Sequence, residues 1–368
     1  MMSATKIKDV ISKLELFAPV VYQEDYDNSG LLVGDEQATV SGILATLDCT
    51  EEIVEKAVSL NCNLIISHHP PIFKNLKRLT GENYVERTVL SAIRNNIAIY
   101  SGHTNFDNVY LGVNKKIADK LNLKNTRILK PKVGTLCQLI TFVPNDYVEI
   151  VLDSLYKAGA GQIGNYKNCS FRVVGHGTFK PSEDAKPFTG EIGKQESVNE
   201  TRIELIFPTY KKYSIINALF KSHPYEEVAY YINRLENDNQ HVGAGIIGET
   251  NKAFTALEFL NHIKKSMKVT TIRHTELIGK PIQRVAVCGG SGSFLLSEAI
   301  KQNADLYLSA DFKYHEFFDS ENKIIIADVG HYESERFTTD LFVEVLNKNF
   351  PTFADRIHIC SNNPISYL

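Results

Sequence analysis

The chain has 368 residues, of which 43% are hydrophobic and 23% charged, and its formal net charge is −3. This composition suits two or three globular domains, each with its own core, and excludes a disordered chain. No apolar run approaches the roughly 20 residues that a membrane-crossing helix needs, and the mildly acidic whole gives duplex nucleic acid no general electrostatic attraction.

In chain order, the N-terminal MMSATKIKDVISKLELF has no continuous apolar stretch and no small-residue cleavage site, which argues for a cytoplasmic protein without a secretory signal. Residues 5–16 space their apolar side chains at three and four, predicting an amphipathic helix. GILATLD (42–48) reads as a strand, and Thr50 then stands where it can cap a helix whose first turn carries Glu51 and Glu52. NLIIS (63–67) predicts a strand, residues 82–95 contain a helix, and IAIYS (97–101) is another strand. Strand, helix and strand at this spacing predict βαβ units and a largely parallel sheet. The middle of the chain differs. QLITFVP, a helix over 148–159, FRVVGHGTF, RIELIFP, a helix over 210–220 and EEVAYYINRL follow the β-α-β-β-α-β order of a ferredoxin-like domain. The end returns to the first rhythm, with strand RVAVCGG, helix FLLSEAIKQ, and strands DLYLS, KIIIADVG and RIHICS. The predicted fold class is therefore α/β. Two similar halves, 1–130 and 241–368, form one core domain, and a ferredoxin-like α+β insert, 131–240, interrupts it.

Three segments that follow strands carry histidines: SHHPP (67–71), SGHTNFDN (101–108) and ADVGHYESER (327–336). In open α/β sheets ligands bind beyond the carboxyl ends of strands, so segments more than two hundred residues apart can converge there. His68, His69 and His103 offer imidazoles and Asp107 a carboxylate. His331 and Glu335, four apart, fall on one face if a helix begins near His331. Imidazole and carboxylate without thiolate suit Zn²⁺, with Fe, Mn or Co as other candidates, and five or six ligands favour two ions per subunit. His103 stands either as a ligand or as a group orienting Asp107. Asp328 stands either behind the ligands, orienting them, or simply at a strand end, the second being the favoured reading.

CGGSGS (288–293) lies between a strand and a helix. Its Gly289, Gly290, Ser291 and Gly292 can form an anion nest for phosphate, or a tight turn that lets strand and helix pack closely. Asp311 and His315, after strand DLYLS, can face the same cleft, which makes His315 a candidate for proton transfer. YDNSGL (26–31) reads as a turn that shapes either the cleft or only the fold. HPYEEVAY (223–230) has no matching ligands nearby in sequence and reads as a packing or oligomer-contact segment. The cysteines, Cys49, Cys62, Cys137, Cys169, Cys288 and Cys360, form no CxxC pair and read as reduced thiols, mostly buried.

The motifs DNSGLLVG, SHHPP, SGHTNFD, GGSGS, GHYESE and NPISYL, with the 304–315 segment between them, make the chain resemble the GTP cyclohydrolase 1 type 2 homologue family, also called NGG-interacting-factor-like, over nearly its whole length. The resemblance implies a dinuclear metal site at His68, His69, Asp107, His331 and Glu335. The segment with GAGQIGNYKNCSF and HPYEEVAYY is similar to the CutA/PII-like insert of the long bacterial members. The family further implies a homohexamer, a toroid with its metal sites facing an inner cavity and its inserts closing the ends. Tyr26 departs from the pattern, since a Trp commonly precedes the Asp-Asn-Ser-Gly run.

The expected function is that of a metal-dependent hydrolase acting on a small nucleotide-like substrate, with His315 or His103 moving protons. A cyclohydrolase would open the guanine imidazole ring and release formate; a phosphoesterase would release phosphate. The alternative is a non-enzymatic metal-binding ring that handles metal, regulates or scaffolds. Nucleic acid passing through such a ring is the weakest reading, because basic and aromatic residues do not interleave.

Overall fold

Runs of consecutively buried apolar residues, such as Leu64–Ser67 and Ile325–Asp328, place strands with both faces covered, the mark of parallel sheet between layers. The computed structural model describes residues 5–368, so the first four residues of the N-terminal segment lie outside it. The chain divides into two compact units, one of the residues up to Lys130 together with His241–Leu368, the other Pro131–Gln240.

The first unit holds two sheets. One runs in the order Gly30–Val33, Ala98–Ser101, Leu64–Ser67, Ile43–Thr46, Ile357–Ile359. The other runs Arg273–His274, Ile325–Asp328, Leu306–Ala310, Ile282–Ser291, Gly243–Phe254, Lys124–Pro131. Parallel pairing occupies the middle of each sheet, and antiparallel strands flank it on at least one side. A single core joins the sheets, with Ile43, Ile66 and Tyr100 from one and Val287, Leu308 and Ile325 from the other.

The two halves are more entangled than their similar rhythms suggest. Strand Ile357–Ile359, from the second half of the sequence, pairs in parallel with Ile43–Thr46 in the first sheet. Lys124–Pro131, from the first half, closes an edge of the second sheet. Local apolar pattern specifies a strand but not its partner, and each terminal strand here covers an otherwise open edge.

The amphipathic helix expected over 5–16 forms as Ile7–Phe17, burying Ile7, Val10, Ile11 and Leu14, and the chain leaves it at Ala18 before Pro19. Thr50 does sit at the N-cap of helix Glu51–Ser59, but its side chain accepts no hydrogen bond from that helix. The hydroxyl instead accepts from the Asn362 amide at 3.3 Å, near the chain end.

The second unit is a βαββαβ module. Its antiparallel sheet runs Phe171–Phe179, Glu196–Pro208, Leu136–Pro144, Tyr230–Leu235. Helices Val148–Lys157 and Lys212–Ser222 bury Val151, Leu155, Ile215 and Leu219 against Leu139, Val143, Ile203 and Leu205 of the sheet. The cysteines are all free; Cys169 and Cys360 are half-buried and the rest buried.

Candidate metal centre

The register of the sheets builds the site. Thr46, Ser67 and Ser101 stand level across three neighbouring strands, and the Ser67 and Ser101 hydroxyls share a 2.7 Å hydrogen bond. The next residues of each strand, Asp48, His68 with His69, and His103, therefore emerge together. In the second sheet Ser309 pairs with Asp328, which brings out Asp311 and His331 side by side. Helix His331–Glu335 then presents His331 Nε2 and Glu335 Oε2 3.0 Å apart, as the spacing of four requires.

Three groups of donors lie within 4.8 Å of one another: His68, His69 and His103; His69, His331 and Glu335; and His68, Asp107 and Glu335. Glu335 is 3% exposed and belongs to two of these groups. Its Oε2 lies 3.0 Å from both His69 Nε2 and His331 Nε2, while Oε1 lies 3.8 Å from His68 Nε2. One carboxylate thus faces two donor sets. Glycine makes room for it: a Cβ on Gly290 would stand 2.2 Å from Glu335 Oε1, and the φ there is +60°.

Each imidazole has its Nδ1 engaged. His68 Nδ1 donates to the Gly102 carbonyl at 2.8 Å, His69 Nδ1 to Asp48 at 2.8 Å, His103 Nδ1 to Asp27 at 2.6 Å and His331 Nδ1 to Asp311 at 2.6 Å. A fixed Nδ1–H leaves the Nε2 lone pair for the cluster, the usual arrangement around metal-ligating histidine.

The inner end of the cluster shows what is missing from a protein-only account. His68 Nε2 and Asp107 Oδ1 are buried, 3.7 Å apart, and neither has a hydrogen-bond partner. Leaving two such atoms unpaired costs on the order of 1–3 kcal/mol each, whereas two ligands of one ion stand at about this separation, given ligand-to-zinc distances of roughly 2.0–2.2 Å. The donor set fits a divalent cation.

Electrostatics agrees. Burial opposes the charge on Glu335, but the imidazoles of His331, His68 and His69 around it overcome it and hold the carboxyl well below its usual range. Asp107 is pushed well above its range by burial and then by the charge of Glu335. Burial disfavours the cationic form of His69 and His331 too, yet the carboxylates on either side raise them to about 9 and about 11. His69 Nε2 and His331 Nε2 lie 3.2 Å apart, so two lone pairs would repel there unless positive charge sat between them. Protons supply that charge in the metal-free cluster, and a divalent cation supplies it without them.

A model of the family described as Duf34/NIF3 (NGG1p interacting factor 3) matches residues 5–364 of the chain. The protein belongs to this family. It is 36% identical over 327 residues to the GTP cyclohydrolase 1 type 2 homolog of Bacillus subtilis, a match covering 88% of each chain. With the protein of that name from Staphylococcus epidermidis it shares 34% over 370 residues, covering 98% of this chain and 100% of the relative. Among solved structures, a Bacillus cereus protein related to NIF3 aligns with a TM-score of 0.85 at 33% identity, and both chains are covered in full (100%). A Staphylococcus aureus protein, SA1388, aligns at 0.78 and 28%, again over 100% of both chains. No helix among the described residues of this Duf34/NIF3 protein is long and apolar enough to cross a membrane.

Of the residues singled out from the sequence, His68, His69, His103, Asp107, His331 and Glu335 come together. His315 does not belong to these donor groups; it lies exposed on the 3₁₀ segment Tyr314–Ser320, its ring 5.1 Å from Tyr314. The Gly289 amide donates to Asn114 Oδ1 at 2.8 Å and the Gly290 amide to Ser334 Oγ at 2.9 Å, so these two N–H groups already have protein acceptors. Asp328 binds the Phe312 and Gly330 amides at 3.0 Å and shapes the turn ahead of His331. Sequence reasoning missed Asp48 as the carboxylate behind His69, and it left Asp27 and Asp311 without roles. Each of Asp48 and Asp311 lies just past a strand that leads into the cluster, a signal that position alone could have raised.

Proposed function

We propose that this protein holds two divalent metal ions at His68, His69, Asp107, His331 and Glu335, and that it is a metal-dependent hydrolase of a nucleotide or a related compound. The observation that carries the reading is Glu335, whose two oxygens face separate donor sets while His68 Nε2 and Asp107 Oδ1 lack hydrogen-bond partners within the protein. Zinc is the first candidate, with iron, manganese or cobalt suited to the same donors. Bound there, divalent ions supply Lewis acidity and bring the pKa of water toward neutrality.

The chain's own residues prepare that chemistry. Asp48 and Asp311 lock the outer imidazoles in orientation. His103, its side chain 17% exposed, joins His68 and His69 in one donor group with Asp27 behind it. Burial opposes ionisation of Asp27, but hydrogen bonds from His103, Thr104 and the Asn28 amide outweigh it and keep the carboxylate charged. Asp27 accepts from His103 Nδ1 at 2.6 Å and orients the ring, which leaves Nε2 to pass a proton to a leaving group. The substrate reading leans on the names of relatives, GTP cyclohydrolase 1 type 2 homolog. Self-association is part of the proposal, as the homohexameric ring with a CutA/PII-like insert. The exposed aromatic pair Tyr314 and Phe318 in the larger unit, their rings 5.6 Å apart, supports it.

The test is turnover by the metal-loaded protein on GTP, other nucleotides, cyclic nucleotides and simple phosphoesters, with formate and phosphate followed separately. Formate from GTP that disappears in Asp107→Ala establishes the cyclohydrolase. Phosphate alone, also lost in the variant, makes it a phosphohydrolase. Absence of turnover with both ions bound overturns the enzyme and leaves the metal-handling ring.

A further inference from the structure

A row of aromatic rings leads from the histidine cluster out to solvent. The His103 ring, 5.2 Å from that of His68 and 5.4 Å from that of His69, meets Phe73 at 6.2 Å and 80°. Phe73 in turn meets Tyr26 at 6.3 Å and 53°. Phe73 is 47% exposed and Tyr26 66%. Neither ring packs into a hydrophobic core, although the neighbouring Ile72 does. Partial burial, and then the charges of Glu24, Asp27 and Asp107, raise the pKa of the Tyr26 hydroxyl, so this ring too lies in the field of the cluster.

One short turn fixes the row. Tyr26 opens it, Asp27 accepts from His103 Nδ1 at 2.6 Å, and the Asn28 side-chain amide donates to the Ile72 carbonyl at 2.6 Å. The residue before Phe73 is thus tied to the turn that carries Tyr26. Beyond Phe73 the chain is drawn in by Glu86, whose Oε2 accepts from the Thr80 and Gly81 amides at 2.9 Å. Between these anchors stand Lys74, Lys77 and Arg78, all exposed, and among the described residues no ion pair engages them.

Rings held in place yet left in water stabilise nothing in the fold, whereas an open aromatic face is a platform for another flat ring. Cations that follow in the same loop add attraction for an anion. Together, beside the donors of the metal centre, they suit a flat heterocycle that carries negative charge. We propose, on the nucleotide reading given above, that Tyr26 and Phe73 stack the heterocycle of the substrate while Lys74, Lys77 and Arg78 attract its phosphate. The turn at Tyr26, Asp27 and Asn28 then serves substrate and centre at once, with one residue in the platform, one orienting His103 and one holding the Phe73 loop.

The chain contains no Trp, so Tyr26→Trp puts a single fluorophore on the platform and keeps an aromatic face there. GMP, guanosine and ribose 5-phosphate are titrated into the full-length, metal-loaded variant. GMP is expected to quench the fluorescence, guanosine to do so with weaker affinity, and ribose 5-phosphate to compete about tenfold or more less well than GMP. Phe73→Ala in the same background should weaken GMP roughly tenfold. Phe73→Leu keeps the apolar bulk without the ring and should weaken it as much, which separates stacking from any loss of packing. GMP that leaves the fluorescence unchanged, guanosine or ribose 5-phosphate that binds as tightly as GMP, or Phe73→Leu that binds GMP like its parent overturns the inference. The readout is binding, so it is distinct from the test of hydrolysis. A protein that stacks GMP but turns over nothing loses the hydrolase and keeps the platform, and turnover of simple phosphoesters without quenching by GMP does the reverse.

Discussion

Two buried histidines, one in each unit, show how the same side chain comes to serve different ends. His223 in the insert is 7% exposed, and both its nitrogens are matched within the protein. Nε2 donates to the Phe142 carbonyl at 2.9 Å, and Nδ1 accepts from the Tyr225 amide at 3.1 Å. His68 in the larger unit is 0% exposed, yet only its Nδ1 is matched; Nε2 points at Asp107 and Glu335 across 3.7 and 3.8 Å with no hydrogen bond. Burial drives both imidazoles toward the neutral form. What separates them is the second nitrogen. A satisfied buried histidine braces a turn, whereas an unsatisfied one facing carboxylates marks a place for a cation.

Mutation tests this contrast. The largest effect is expected from Glu335→Ala, which removes the carboxylate common to two donor groups. Metal analysis of the purified variant should show most of the bound metal gone while far-UV circular dichroism keeps its native shape. Metal at the wild-type level would break the contrast outright. His68→Ala should cost one metal position, read by the same analysis, and leave the outer donors His69 and His331 loaded. Asp48→Asn and Asp311→Asn change groups that only hold ligands in place. Each should weaken metal affinity by roughly 10–100-fold in competition with a chelator, without emptying the site at saturating metal.

On the other side of the comparison, His223→Ala should leave metal content untouched and destabilise the insert by about 1–3 kcal/mol in denaturant unfolding, the cost of stranding buried backbone partners. A loss of metal in that variant would remove the distinction. The smallest effect concerns pH. Burial lowers the His223 pKa in the folded state, opposed by the Phe142 carbonyl and Glu200. The unfolded state therefore takes up a proton first, near the ordinary histidine value of about 6.5. Stability from this group is present above that pH and is lost as pH falls from there toward the lower folded value. The unfolding midpoint of wild type should drop across that window, and that of His223→Gln should drop less.

Much of the framework could be read without coordinates. NLIIS and IAIYS became Leu64–Ser67 and Ala98–Ser101, and the helix within 82–95 became Tyr84–Arg94, closed by Asn83 accepting from the Glu86 amide. These segments carry their own signals of apolar run, period and cap, and such signals are local. Strand Ile357–Ile359 shows the boundary. Its apolar character was plain, but its place beside Ile43–Thr46 depends on an edge more than three hundred residues away. Thr50 shows it again, since the hydroxyl of a good capping residue accepts from Asn362, more than three hundred residues on, and not from its own helix.

At the candidate site the residue types alone specified a chemistry. Histidines and carboxylates after three strands, with no thiolate, call for a hard or borderline divalent cation, and His331 with Glu335 meet because a helix repeats near every fourth residue. Only the tertiary structure decided which oxygen faces which nitrogen. It set Asp48, Asp27 and Asp311 behind three imidazoles, engaged the Gly289 and Gly290 amides with Asn114 and Ser334, and left His68 Nε2 and Asp107 Oδ1 without partners. The physical reason is range. Propensity and periodicity act over a turn or a strand, whereas pairing, burial and lone-pair matching are settled between residues that meet only when two sheets close over one core.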